Sequence, residues 1–333
     1  MSEYDKAEGA AKVCVTGGAG FIGRHLSRVL VERGLHVIGI DDFSGADRRA
    51  LMEFDGVPNY SFVEGDVRDP EIIRYALEDC RTVFHLAANP EVRVGEQDPV
   101  SHVTGNLDTT VAVLEAMRAE GVKEILFTST STVYGEADQI PTPEDFGPLL
   151  PVSIYGGAKL GAEALISSYC GTFDMRAALF RFANVVGPGS GHGVTVDFVR
   201  KLQADPKRLE ILGDGRQTKS YVHVHDTVEG MITVFEGAMP EPGYATPYNI
   251  GSHDWIPVTE VADTVAEVMG VKPEYSFTGG ARGGGGWKGD VPRMMLDVKK
   301  LLGLGWSPAY TSRDAIKDTA RWLVGEEKAT TET

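Results

Sequence analysis

Cysteine is scarce in this chain of 333 residues: there are three, at Cys14, Cys80 and Cys170. They are widely spaced and form no C-x-x-C, which argues against a disulfide framework or a zinc knuckle and fits a reducing cytoplasm. No stretch approaches the roughly 18 apolar residues that a membrane-spanning helix needs. The first residues, MSEYDKAEGA, lack an apolar signal stretch and read, like GEEKATTET at the other end, as a frayed tail. Basic residues are in deficit too: 32 Lys and Arg stand against 48 Asp and Glu, a formal charge of −16. That field argues against sequence-independent nucleic-acid binding, which needs basic patches. Any anionic ligand must be met by a few local donors. The acid excess also suits a high-salt cytosol. What is left, 42 % apolar and 24 % charged residues, is ordinary for a globular enzyme with one large or two coupled domains.

The first positive signal lies near the start. KVCVT, ending at Thr16, is a short β-branched run that reads as a buried strand. GGAGFIG follows, then RHLSRVLVERG with apolar residues at helical spacing. Gly17, Gly20 and Gly23 thus sit on a strand–turn–helix, with Phe21 and Ile22 opening the helix. The first glycine allows the tight turn, the second lets backbone approach a pyrophosphate, and the third brings helix against strand. Free N–H groups and partial positive charge at the helix start suit phosphates. A second strand, HVIGI, leads to Asp41, 18 residues after Gly23, with Asp42 beside it. An acid there can bond a ribose 2′-hydroxyl and repel a 2′-phosphate, which favours NAD over NADP. Arg48 and Arg49, just downstream, leave NADP open.

SFVEGDV, TVFHLAA and EILFTST read as three further strands separated by helical segments. The alternation predicts an α/β fold with a parallel, doubly wound sheet, whose ligands bind beyond the carboxyl ends of the strands. Each strand ends in candidate contacts: Asp66 and Val67 for the adenine, Leu86, Ala87 and Ala88 for ribose and diphosphate, Thr128 to Thr130 for the nicotinamide side. Asn106, inside a predicted helix, is placed to brace that loop, and His85 reads as a strand residue near the cofactor.

Tyr155 and Lys159 stand four apart in SIYGGAKLGAE. On a helix this spacing puts both on one face. An ammonium beneath a phenol stabilises the phenolate, so Tyr155 can act as a base well below the free value of about 10. A phenolate beside a nicotinamide is what proton removal from a hydroxyl during hydride transfer requires.

Together, TGGAGFIG, the acid at Asp41, GDV, HLAAN, STVYG and YGGAK resemble the extended short-chain dehydrogenases that act on nucleotide sugars. Within that group the chain is most similar to the UDP-glucose (UDP-galactose) 4-epimerase branch, especially its archaeal members. The likeness runs from about Lys12 to Trp322. It implies a Rossmann-type domain with tightly held NAD, a catalytic Tyr155–Lys159 pair and Thr130 as the hydroxyl near the substrate. It also implies a smaller, interleaved C-terminal α/β lobe that captures the nucleotide diphosphate of a UDP-sugar. Dehydratases of the family carry an acid directly after that hydroxyl. Ser131 and Thr132 stand there instead, and elimination needs a general acid and base. Epimerisation at C4 through a transient 4-keto sugar is therefore expected. Other readings are an N-acetylhexosamine or uronic acid 4-epimerase, a decarboxylase, a 4,6-dehydratase, or a non-catalytic NAD sensor.

In the second lobe, Asn184 matches the family's diphosphate-binding asparagine. Lys219 stands where relatives carry a clamping arginine, with Arg216 as an alternative donor. The glycine-rich GGARGGGGWKGDVP offers Arg282, while Trp287 fills the slot of another family arginine. His192 lies in a Gly-rich loop within reach of substrate. His223, His225 and Asp226 form an H-x-H-D, but no third ligand supports zinc. No metal is expected, and Asp226 is expected to cap the following helix. The expected division is residues 1–183 plus about 219–235 for the NAD domain, and 184–218 with 236–330 for the substrate lobe, the cleft between being the site. The family implies a homodimer through the helices before Glu120 and after Ser153.

Overall fold

The structure is a computed structural model and describes residues 11–281 and 284–331. β1 (Lys12–Thr16) is buried from its second residue on. α1 (Phe21–Glu32) follows with Leu26 and Leu30 facing inward one turn apart. Then come β2 (His36–Asp41), β3 (Tyr60–Glu64) and α2 (Pro70–Leu77), whose first N–H groups are capped by Asp69. β4 (Cys80–His85) leads to α3 (Pro99–His102), which passes through a π-helical turn, Val103–Asp108, into α4 (Thr109–Glu120). Gly121, at φ 75°, ends α4 in the left-handed conformation. β5 (Glu124–Thr130) is buried throughout. The long α5 (Ile154–Phe173) and β6 (Arg176–Phe182) complete this run.

The remainder is β7 (Asn184–Val186), α6 (Val194–Ala204), β8 (Arg208–Ile211), β9 (Thr218–Lys219), β10 (Tyr221–His223), α7 (Val224–Gly237) and β11 (Ala245–Ile250). After these come β12 (Ile256–Pro257), α8 (Val258–Met269), β13 (Glu274–Phe277), β14 (Arg293–Met294), α9 (Lys299–Leu302) and α10 (Ser312–Thr331).

Seven strands form one sheet in the order β11–β6–β5–β4–β1–β2–β3. The pairs β3–β2, β2–β1, β1–β4 and β4–β5 are parallel. From β1 the chain winds one way to β3 and then returns to β4 on the other side. The switch lies between β1 and β4, where doubly wound sheets bind ligands. This is the Rossmann-type architecture expected from the sequence.

By their contacts the described residues form two units. The first comprises residues 11–130, Gly157–Arg181 and Met231–Tyr248, around a core that includes Val83, Leu114, Phe127, Ile166 and Leu179. The second comprises Ser131–Gly156, Phe182–Gly230 and residues 249–331, with its own core of Phe198, Leu209, Val261 and Ile316. Ser131–Gly156 falls in the second unit because Tyr134 donates to Asn249 (2.8 Å) and Thr142 exchanges backbone bonds with Met295 and Asp297. Met231–Tyr248 falls in the first, where Phe235 meets Phe84 edge-on at 5.1 Å.

Asp226 does not cap the helix that follows His225. The helix begins at Val224, so Asp226 lies inside its first turn, and its carboxylate accepts the N–H groups of Ala309 and Tyr310 at 3.0 and 3.1 Å. His223 stacks on Tyr310 and meets Asp318 at 3.2 Å. Among the described residues no His, Cys, Asp and Glu cluster is arranged to hold a metal, and no helix is long and apolar enough to cross a membrane.

Candidate active site

The cradle after β1 is shaped by what a side chain would strike. Gly17 sits at φ 69°, and a Cβ there would lie 2.9 Å from the Ala87 nitrogen. A Cβ on Gly23 would run into the Gly17 carbonyl. These two positions therefore need glycine for close backbone approach. The start of α1 has no side-chain cap and no acidic residue in its first turn. With no cap from Gly20 and no acid of its own, that turn is suited to a diphosphate.

Asp41 closes the cradle at the end of β2. Its carboxylate accepts the Ala19 N–H at 3.1 Å and the Phe43 N–H at 2.8 Å, tying the acid to the glycine turn. Burial raises its pKa, against those backbone bonds. Asp42 accepts from Ser44 N–H and is exposed. The two arginines that leave room for NADP both have carboxylate partners. Arg48 is paired side-on with Glu64 and lies 4.4 Å over the Phe43 ring, and Arg49 pairs with Asp47 at 2.6 Å. Asp66 is likewise engaged, by Arg68 at 2.5 Å, which lowers its pKa, and Val67 is buried beside it.

Leu86 and Ala87 both donate backbone N–H to the Thr16 hydroxyl at 3.1 Å, which fixes the loop past β4 over the glycine turn. Asn106 lies in the π-helical turn, 2 % exposed, and its amide nitrogen donates to the Asn89 carbonyl at 3.3 Å. Its Oδ1 has no partner among the described residues. A buried orphan acceptor, a glycine cradle and an uncapped helix start form a donor and acceptor set that fits a dinucleotide.

Helix α5 carries Tyr155 and Lys159 one turn apart, Tyr155 half-buried and Lys159 3 % exposed. The Lys159 ammonium donates to the Thr128 carbonyl at 2.9 Å and lies 4.7 Å from the Phe127 ring centre, at the end of β5 where Thr130 also stands. One turn further, Glu163 accepts side-on from Arg181 Nε and Nη2 at 3.1 and 2.7 Å and takes the Ser129 hydroxyl. This buried set was not foreseen from the sequence. Its only local trace is the i+4 spacing of Lys159 and Glu163.

Burial pulls the Lys159 pKa down to about 7, while the charge of Glu163 pushes it up. The sign for stability follows. Below pH 7 the lysine is protonated folded and unfolded, and the desolvation cost is in force. Between pH 7 and the unfolded value of about 10.4 only the unfolded chain holds the proton, so stability rises with pH. In protein freed of dinucleotide, the unfolding temperature of the native chain should gain on that of Lys159→Met across this range. Parallel curves would contradict the burial argument.

In the second unit the Asn184 amide donates to the Ser220 carbonyl at 3.2 Å. Lys219 is bound to the buried Asp290 at 2.5 Å and lies 5.4 Å from the Trp287 ring. Arg216 is exposed, and its guanidinium has no partner among the described residues. Arg282 lies outside the described residues.

Residues 13–251 match the profile of the family described as NAD dependent epimerase/dehydratase. An archaeal relative from Methanocaldococcus jannaschii, provisionally named UDP-glucose 4-epimerase, is 31 % identical over 317 residues, covering 93 % of this chain and 98 % of its own. A solved UDP-galactose 4-epimerase is 40 % identical with a TM-score of 0.84, covering 95 % of this chain and 99 % of that one. A UDP-glucuronic acid 4-epimerase from Bacillus cereus, solved with UDP-glucuronic acid and NAD, gives a TM-score of 0.85 at 27 % identity with the same coverage.

Proposed function

Because the chain belongs to the NAD-dependent epimerase/dehydratase family, we propose that it inverts C4 of a UDP-hexose, interconverting UDP-glucose and UDP-galactose. The observation that carries this choice of reaction is the pair after Thr130. Ser131 and Thr132 open a short 3₁₀ turn and bring no carboxylate for elimination. The first unit would hold the dinucleotide. The turn from Gly17 to Gly23, with Phe21 and Ile22, takes the diphosphate, Asp41 and Asp42 the ribose, and Asp66 and Val67 the adenine. Leu86 to Ala88 serve ribose and diphosphate, Asn106 braces the loop, and Thr128, Tyr155 and Lys159 serve the nicotinamide end. Bound NAD supplies a reversible hydride acceptor for the sugar carbon.

The chain's own groups handle the proton. Tyr155, as phenolate, takes the hydrogen of the 4-hydroxyl and returns it to the same oxygen after the 4-keto sugar has turned. Lys159, one turn along the helix, favours the phenolate by its charge while it holds its proton. Protein freed of dinucleotide loses that proton near pH 7, and a neighbouring phenolate would help the lysine keep it. Thr130 donates a hydrogen bond to the sugar oxygen and aligns it. Asn184, Lys219 and Arg216 hold the diphosphate. Asp290 already balances Lys219, so of these two cations Arg216 is the one without a carboxylate partner among the described residues. Arg282, five residues before the family's arginine position that Trp287 fills, is the further candidate donor.

The test is incubation of purified protein with UDP-glucose and, separately, UDP-galactose, without added NAD. The two should converge on one mixture. A product of altered mass, or no change, would refute the reading. Exposed Val103 and Val111, on and beside α4, support a homodimer through α4 and α5, so the same sample should sediment as a dimer; a monomer would exclude it.

A further inference from the structure

One buried titratable group takes no part in that chemistry. His85, the last residue of β4, is fully buried, and its ring is bonded at both nitrogens. Nδ1 lies 2.8 Å from the Thr16 hydroxyl and Nε2 lies 3.1 Å from the Thr110 hydroxyl. The protons along this line can be placed by elimination. Thr110 donates its single hydrogen to the Asn106 carbonyl at 2.7 Å, so its oxygen must accept from Nε2–H. At the other end, the Thr16 oxygen accepts the Ala87 N–H and shares the Leu86 N–H with its own backbone carbonyl. Among the described residues the acceptor recorded for its hydrogen is Nδ1 of His85. Both ends select the same ring: neutral, with hydrogen on Nε2. The opposite tautomer would strand the Thr16 hydroxyl hydrogen in a fully buried place, which is unfavourable.

The line joins two fixings of one loop. Thr16 holds the Leu86–Ala87 end, and Asn106 holds the Asn89 end through its amide nitrogen. A Cβ on Gly105 would come 2.9 Å from the Asn89 side chain, so the π-helical turn lies close against that end. We propose that His85 is a positioning residue: as a neutral Nε2–H imidazole it couples Thr16 to Thr110 and Asn106, so the Leu86–Asn89 loop is set before a dinucleotide arrives. This rests on the assignment of that loop to the cofactor. Lys159 is the charged group facing the ring, with Thr16, Thr110 and the Phe127 ring (5.6 Å) as its other neighbours. Burial first, then the lysine charge, pulls the His85 pKa down to about 3, which keeps the ring neutral.

Two measurements test this. In histidine-labelled whole protein, with the His85 signals assigned by their loss in His85→Gln, the imidazole should show the Nε2–H pattern. It should stay unchanged from about pH 5 to 8, the range in which ordinary histidines titrate. An Nδ1–H pattern, or titration in that range, overturns the proposal. Secondly, Thr110→Val should weaken NAD binding about tenfold, a factor that corresponds to about 1.4 kcal/mol, and Thr110→Ser should restore it. Lower thermal stability with unchanged NAD affinity would mark the network as mere scaffold and overturn the positioning role. If the native protein neither contains nor takes up NAD, it is the cofactor assignment that fails; the spectrum still judges the tautomer.

Discussion

Tyr155→Phe should lower turnover of the UDP-sugar by about a thousandfold while leaving bound NAD in place. The size follows from the role. A positioned acid–base group contributes on the order of 10²- to 10⁴-fold, and Phe keeps the ring while deleting the oxygen proposed to move the proton. Half-buried at the start of α5, the ring loses little packing in the exchange. KM should shift far less than kcat, because the lost interaction is made in the transition state. Lys159→Met should behave differently. The phenol survives, so activity lost near neutral pH should return as pH approaches about 10, where a phenol ionises unaided. The comparison is steady-state kinetics of both variants across pH, with dinucleotide content read after denaturation. A Phe variant keeping more than about a tenth of its activity would remove Tyr155 from the role of base.

The second large effect concerns stability. Glu163→Ala should cost about 3–5 kcal/mol, because it leaves the Arg181 guanidinium buried without its carboxylate. The two side chains are 5 % and 6 % exposed, so water cannot take the partner's place. Ser129 loses its acceptor in the same change. Unfolding should shift down by roughly 10 °C on the usual scaling of a few degrees per kcal/mol. Removing both charges, as Glu163→Leu with Arg181→Met, should cost much less than either charge removed alone, since no orphan remains. A single variant that unfolds within about a degree of the native protein would show that solvent or a rearranged side chain compensates the arginine.

The parts visible in the sequence are those whose cause is local. The glycine turn, Asp41 and the Tyr155–Lys159 spacing each depend on backbone geometry within one or two elements, and the resemblance to a known family linked them. What stayed hidden is pairing across the fold. Arg181 reaches Glu163 from the next strand, and Asp290 reaches Lys219 from 71 residues away. Nothing in periodicity reports such a meeting. The helix containing Asp226 misled for a related reason. A strand-like YVH and an acid three residues on resemble a cap, but contact with the Ala309–Tyr310 backbone rewards starting the helix earlier.

The three cysteines have a practical consequence. All are buried in the first unit, and burial raises every thiol pKa, to about 12 for Cys80 and about 11 for Cys170. Thiolate is the reactive form, so native protein offers an alkylating agent almost nothing to attack. The first unit thus carries an internal clock: each label acquired dates an opening of its core, read by mass and without an added probe.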